Sequence, residues 1–268
     1  MLHAPDLQHQ QPAPLFGFDG RSELPAAFRG SVLLLGSFDG FHRGHRALLE
    51  RGRTLARASG RPLAVLQLDP HPQVLFRGAT RFRLVTGIAR TLLLGQCGFD
   101  FLYTPRFDAA YAALPPGAFA RTVLCDRLGV GAVVTGPDFR FGHKRLGDVD
   151  MLRALGRRFG FAVDTIDEVR DGTQRISSSL IREAITRGDL ARVARLLGRD
   201  WLVGIARDAQ GRWSFDAEQL LPPAGDWPVE ACDAAGGGLV RTTLSLGACG
   251  DVSRFAAPSS CRMLRWLA

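Results

Sequence analysis

Short apolar runs alternate with longer amphipathic stretches from Ser31 to about Gly198. SVLLLG (31–36) reads as a strand, and its unbroken Val and Leu suit a sheet covered on both faces. The stretch after it, HRALLERGRTLARASG, places Leu48, Leu49, Leu55 and Ala56 on one helical face. LAVLQL (63–68), FDFLY (99–103), GAVVTG (131–136) and FAVDTI (161–166) read as further strands. Helices are expected near 84–95, 117–129, 148–160, 178–187 and 189–197, the last two divided at Gly188 with Asp189 as N-cap. Strands alternating with helices imply right-handed crossovers and a doubly wound, Rossmann-like parallel sheet of the α/β class. Ligands of such sheets bind at the carboxyl ends of the strands.

The pattern changes at both ends. Residues 1–25 are polar, rich in Gln, His and Pro, and are expected to be a flexible lead-in. Residues 199–268 carry all four tryptophans, Gly- and Pro-rich breaks and short alternating segments such as VRTTLSL. They predict a small β-rich, barrel-like module. Three parts follow: 1–25, 26–198 and 199–268.

Composition narrows the class of protein. Hydrophobic residues make up 46% and charged residues 22%, as in ordinary globular proteins. The net charge of +8, with most cations arginine, can attract nucleic acid, an acidic membrane surface or polyanionic small molecules. No nucleic-acid-binding signature accompanies it, so no nucleic-acid partner is expected. Five cysteines without a C-x-x-C pair point to a reducing compartment and away from a structural zinc site. With no signal-peptide pattern and no long apolar run, a cytoplasmic protein without membrane contact is expected.

The chemistry-bearing residues cluster at predicted strand ends. The turn G36-S-F-D-G-F-H-R-G-H45 follows the first strand. Gly36, Gly40 and Gly44 allow close backbone approach to a ligand, and the following helix presents free N–H groups to an anion. His42 and His45, three residues apart at a helix start, share a face and can reach adjacent phosphate oxygens. This is not a Walker P-loop, because no G-x-x-x-x-G-K-[ST] occurs. R175-I-S-S-S-L-I-R182 places three serines at a helix start, with Arg182 one turn in. The two clusters together would make a two-sided cradle for a triphosphate. In G136-P-D-F-R-F-G-H-K-R-L-G-D148, Asp138, Phe139 and Phe141 suit a planar hydrogen-bonding ring, and Arg140 suits a phosphate. In L68-D-P-H-P72, Asp69 and His71 place polar groups at the same edge.

These four motifs, in this order, resemble the bacterial FAD synthetase family, over about Leu24 to Gly198. Bifunctional members of that family join an FMN adenylyltransferase domain to a riboflavin kinase barrel. The resemblance implies ATP and FMN as substrates, with Mg²⁺ carried by the phosphates and no metal held by the protein. It implies His42, His45 and Arg182 as catalytic residues. ATP would be bound by Gly36, Ser37, Phe38, Asp39, Gly40, His42, Gly44, His45, Ser178, Ser179 and Arg182. The flavin side would comprise Asp69, His71, Asp138, Phe139, Arg140 and Phe141. The family usually has Asn at Ser37 and Ser-Ser-Thr at Ser177–Ser179, and both replacements keep a hydrogen-bonding group.

The second half departs from the family pattern. The G-R-x-L-G-x-P-T-A-N segment of the kinase is reduced to G211-R-W, so a degenerate kinase-like module without kinase activity is expected, free to serve a protein partner. The leading expectation is therefore a monofunctional FMN adenylyltransferase. Its rivals are a nucleotidyltransferase for another phosphorylated acceptor, one using CTP, and a non-catalytic flavin-nucleotide-binding regulator.

Overall fold

A computed structural model describes residues 15–78 and 80–267. Six parallel strands form the main sheet: β1 (Phe16–Phe18), β2 (Val32–Leu35), β3 (Leu63–Leu66), β4 (Phe101–Tyr103), β5 (Ala132–Thr135) and β6 (Ala162–Thr165). Their order is β1-β4-β3-β2-β5-β6. From β2 the chain winds outward through β3 and β4, then returns to β5 and β6 on the other side. The winding reverses between β2 and β5, and the crevice of a doubly wound sheet lies at that reversal. The turn from Gly36 follows β2 and the loop from Gly136 follows β5, so the two motifs flank it.

Every residue of β2, β3 and β5 is buried, as expected for strands covered on both faces. Helix α1 (Arg43–Ser59) packs Leu48, Leu49 and Ala56 inward, with Leu55 half-buried. It lies so close to the sheet that a Cβ at Gly52 would stand 2.5 Å from Leu34 Cδ2. Helices α2 (Pro72–Arg77), α3 (Gly87–Gln96), α4 (Ala109–Ala112), α5 (Pro116–Ala118), α6 (Val149–Phe159), α7 (Ser178–Thr186) and α8 (Leu190–Leu197) complete this part. The segment expected to be helical over 117–129 is wound as a π-helix over Phe119–Arg127, with Phe119, Ala120, Val123 and Leu124 buried.

The expectation of a flexible lead-in does not hold for its C-terminal part. Phe16–Phe18 pairs in parallel with Phe101–Tyr103, adding an edge strand, and Leu24 is buried. Phe16 stacks on Phe28, and Phe18 meets Tyr103, so aromatic contacts offset the polar composition. Residues 1–14 lie outside the described residues.

The C-terminal module is β-rich. Before the module, strands β7 (Arg170–Asp171) and β8 (Gln174–Arg175) form a small hairpin ahead of α7. Beyond α8, β9 (Trp201–Gly204), β10 (Ala206–Arg207), β11 (Trp213–Ser214), β12 (Gly225–Cys232), β13 (Gly238–Leu246), β14 (Val252–Phe255) and β15 (Met263–Trp266) follow. Five of them make an antiparallel sheet, β14-β13-β12-β15-β9. Trp201 stacks on Trp266 at 5.3 Å between ring centres, and both are buried. The composition boundary at Gly198 is not a packing boundary. One hydrophobic cluster runs from Val32 and Leu34 through Leu84 and Ile181 to Trp201, Val229 and Leu264.

Candidate active site

The site is built on the turn after β2. His42 is the N-cap of α1, and its Nδ1 accepts the backbone N–H of His45 at 3.3 Å. That bond satisfies one of the orphan amides of the first turn. It also fixes the tautomer: with Nδ1 accepting, the ring proton of neutral His42 is on Nε2. The two imidazoles stack, 3.7 Å between centres and 14° apart. Burial pulls His42 down to about 4, helped by the cations of Arg175 and Arg182. Burial, then His42, holds His45 well below the usual histidine range. Both rings are therefore neutral hydrogen-bonding groups near pH 7, not cations. His45 Nδ1 is buried without a hydrogen-bond partner among the described residues.

Helix α7 meets this turn from the opposite side. Ser177 caps the helix through Leu180 N–H, and the Ser178 hydroxyl donates to the carbonyl of Asp39 at 3.1 Å. Arg182 pairs with Asp39 at 2.6 Å, and its Nε donates to the carbonyl of Phe82 at 2.9 Å. Its guanidinium also sits 3.7 Å above the centre of the Phe82 ring. Asp39 is buried and accepts Leu84 N–H on both carboxylate oxygens, at 3.0 and 3.1 Å. Burial pushes its carboxyl up, against the opposing pull of Arg182 and the Leu84 amide.

The other two clusters reach the same edge. His71 caps α2 and lies 5.0 Å from Phe82 between ring centres. Burial lowers it to about 4, with Arg83, Arg182 and Arg90 adding to the effect. Phe82 thus stands between Arg182 and His71. Asp69 pairs with Arg83 at 3.0 Å. In the loop after β5, Asp138 pairs with Arg175 at 2.5 Å, and this hydrogen bond holds its carboxyl below the usual range. Arg140 lies 3.5 Å from Asp148.

Three sequence expectations need correction in their geometry. Phe141, expected on the flavin side, is buried against Phe119 and beneath Phe139, and a Cβ on Gly147 would strike its ring at 2.7 Å. Phe139 alone of the two is half-exposed. Phe38, expected to touch ATP, is buried against Phe41 and His45 and lines one crevice with Ser37, Asp39 and Gly40. The Asp39 carboxylate is engaged by Arg182 and Leu84. The Ser178 hydroxyl has its proton committed to Asp39. These last two residues join the halves of the cradle instead of presenting free groups to it. Ser37 and Ser179 are exposed, and a Cβ at Gly44 would meet the His42 ring at 3.1 Å.

Phe82, Arg83, Arg90 and Arg175 were not assigned roles from the sequence. Arg175 had a signal, since it opens the R-I-S-S-S string. Phe82 and Arg83 lie in an unmarked connection between elements, and Arg90 lies within α3 with no motif to mark it. Arg83 and Arg90 line a narrow crevice with Ser37, Asp39, Gly40 and Leu68. No group of three or more His, Cys, Asp or Glu able to hold a metal occurs among the described residues. No described helix is long and apolar enough to cross a membrane.

Comparison with known proteins places the chain in a family. The sequence pattern of the FAD synthetase family matches residues 24–180. The chain is 35% identical over 188 residues to the bifunctional riboflavin kinase/FMN adenylyltransferase of Escherichia coli K12, covering 70% of this chain and 59% of that protein. It is 34% identical over 184 residues to the protein of the same description from Pseudomonas fluorescens, covering 69% of this chain and 59% of that protein. The chain thus spans about three fifths of the length of these two relatives. A solved structure described as a macrolide-efflux protein from Streptococcus pneumoniae superposes with a TM-score of 0.77 at 21% identity. It covers 94% of this chain and 89% of its own, and it supports the fold alone.

Proposed function

This chain belongs to the FAD synthetase family, and on that premise we propose that it transfers the adenylyl group of ATP to FMN, giving FAD and pyrophosphate. The observation that carries the reading is the junction of the two cradle halves. Ser178 and Arg182 of α7 are bonded to Asp39 in the turn that ends at His45. The phosphates of ATP would lie between the α1 N-terminus and α7, with Mg²⁺ carried on them and supplying charge neutralisation.

A phosphate oxygen of FMN attacks the α-phosphorus in line. The new P–O bond forms as the bond to the β-phosphate breaks, and pyrophosphate leaves with the electron pair. The nucleophile is already anionic, so no general base is needed. The protein contributes position and preorganised donors: His42 Nε2–H, the free N–H groups of α1 and the guanidinium of Arg182. Neutral histidines suit this task, since a hydrogen-bond donor fixed in place stabilises developing charge without reorganisation. FMN would approach from the side of Asp69, His71, Asp138 and Phe139. Residues 199–268 lack the Pro-Thr-Ala-Asn element and supply no riboflavin kinase chemistry in this reading.

Purified protein incubated with ATP, Mg²⁺ and either FMN or riboflavin tests it, with flavins separated by chromatography. FAD from FMN and no product from riboflavin is the expected result. Absence of FAD from the FMN reaction overturns the proposal, and FMN from riboflavin overturns the loss of kinase chemistry.

A further inference from the structure

The segment between the site and the C-terminal module is a single strip of backbone, residues 81–86. One of its edges serves the site: Leu84 N–H holds Asp39, and the Phe82 carbonyl holds Arg182 Nε. The other edge is gripped by the module. Arg81 N–H donates to the Ala217 carbonyl, and Phe82 and Arg83 N–H both donate to the Glu218 carbonyl. Leu220 N–H donates back to Arg83, so the strip and residues 217–220 pair in parallel at Arg83 and Gln219.

The side chains repeat the grip. Gln219 is fully buried, and the two N–H groups of its amide are shared among the carbonyls of Arg83, Leu84 and Leu220 at 3.3, 3.1 and 3.0 Å. Its oxygen accepts from Thr86 at 3.0 Å. Trp201 Nε1 donates to the Leu84 carbonyl at 2.7 Å. A buried amide satisfied on both atoms fixes its neighbours, because any displacement leaves a polar group unpaired. Glu218 holds Arg83 Nε at 2.5 Å while the other arm of the same guanidinium reaches Asp69 at 3.0 Å. From the start of the module, Arg199 donates to the carbonyl of Gly40 at 2.8 Å.

We infer that the 199–268 module is the splint of the adenylyl-transfer site, and that Glu218 and Gln219 are positioning residues for it. Gln219 sets the strip whose Leu84 amide and Phe82 carbonyl hold Asp39 and Arg182. Glu218 sets Arg83, and through it Asp69 on the acceptor side. The module thus acts in the first reaction centre without chemistry of its own. This rests on the adenylyl-transfer reading.

The test uses the full chain. Glu218 is a third exposed, and the buried Arg83 keeps Asp69 as its second partner, so Glu218→Ala is expected to retain the fold with a fall in Tm of no more than about 5 °C. Its KM for FMN is expected to rise by about fivefold or more, with the KM for ATP changed less than about twofold, because Arg83 faces Asp69. Glu218→Gln keeps an acceptor for Arg83 Nε and is expected to recover at least half of the loss. An unchanged KM for FMN in Glu218→Ala overturns the inference. So does an equal rise in both KM values accompanied by a large fall in Tm, the mark of general destabilisation. A wild-type protein that makes no FAD fails before any variant is compared, and takes the inference down with the proposed function.

Discussion

Arg182 and Asp39 face each other at 2.6 Å, and the arginine is held a second time by the Phe82 carbonyl and a third by the Phe82 ring. The guanidinium is therefore oriented before any phosphate arrives. Lysine keeps the charge and loses the planar fork that satisfies two directions at once. Arg182→Lys is expected to lower kcat for FAD formation by at least roughly tenfold, and Arg182→Ala by more. Steady-state rates at saturating ATP and FMN check this, and an unaltered kcat in both variants would remove Arg182 from the phosphate cradle.

Removing the other partner has a different signature. Asp39→Ala leaves a largely buried guanidinium uncompensated and the Leu84 amide without its acceptor. Loss of one member of a buried pair costs about 3–5 kcal/mol. Denaturant unfolding should detect that loss in Asp39→Ala, and a smaller one in Asp39→Asn, which keeps an oxygen for Leu84. Equal stability of Asp39→Ala and wild type would mean that the pair contributes nothing to the fold.

The buried histidines make stability depend on pH in a defined window. His42 falls from its ordinary 6.5 to about 4 in the folded protein. Between those values the unfolded chain binds a proton that the folded chain does not, so stability rises with pH there. The contribution is fully present above 6.5, is lost progressively as pH falls toward 4, and levels off below. For His42 alone the loss is about 3 kcal/mol. The same sign holds for His45 and His71. Thermal unfolding at pH 7.5 and pH 5 should show a drop in Tm that shrinks in His42→Gln. A slope unaltered by that substitution contradicts the lowered values.

Phe139 and Phe141, two residues apart, should separate binding from stability. Phe141→Ala empties a core site and should cost about 3–5 kcal/mol of folding stability. Phe139→Ala, on the half-exposed ring, should cost far less stability and raise the KM for FMN by about tenfold. Urea unfolding and FMN titration of the same two variants decide the matter, and identical profiles would refute the division.

Gly40 is constrained twice. Its φ is 83°, and a Cβ there would stand 2.7 Å from Leu84 Cδ1. Gly40→Ala adds backbone strain and overpacking, together about 2–5 kcal/mol. Because Leu84 carries the amide that holds Asp39, calorimetric ATP affinity should weaken as well. A variant as stable as wild type would rule out this close approach.

The sequence by itself determined the parts whose cause is local. Near-continuous apolar runs in β2, β3 and β5 signal strands covered on both faces, and the spacing of Leu48, Leu49 and Ala56 gives α1 its buried stripe. The turn ending at His45 and the Ser/Arg start of α7 were legible because each is a motif fixed to a strand or helix end. Strand β1 was not legible, because three residues held by aromatic contacts to Phe28 and Tyr103 leave no periodicity of their own. Nor was the inward turn of Phe141 beside the outward Phe139, which Gly147 permits by leaving room for the ring. Phe82, Arg83 and Glu218 carry no motif. They enter the site only because a connecting strip pairs with a segment more than a hundred residues away. Which groups are free for substrate was likewise decided by tertiary structure. Asp39 and Ser178 read as phosphate ligands in one dimension, and in three their hydrogen bonds are already made to the other half of the cradle.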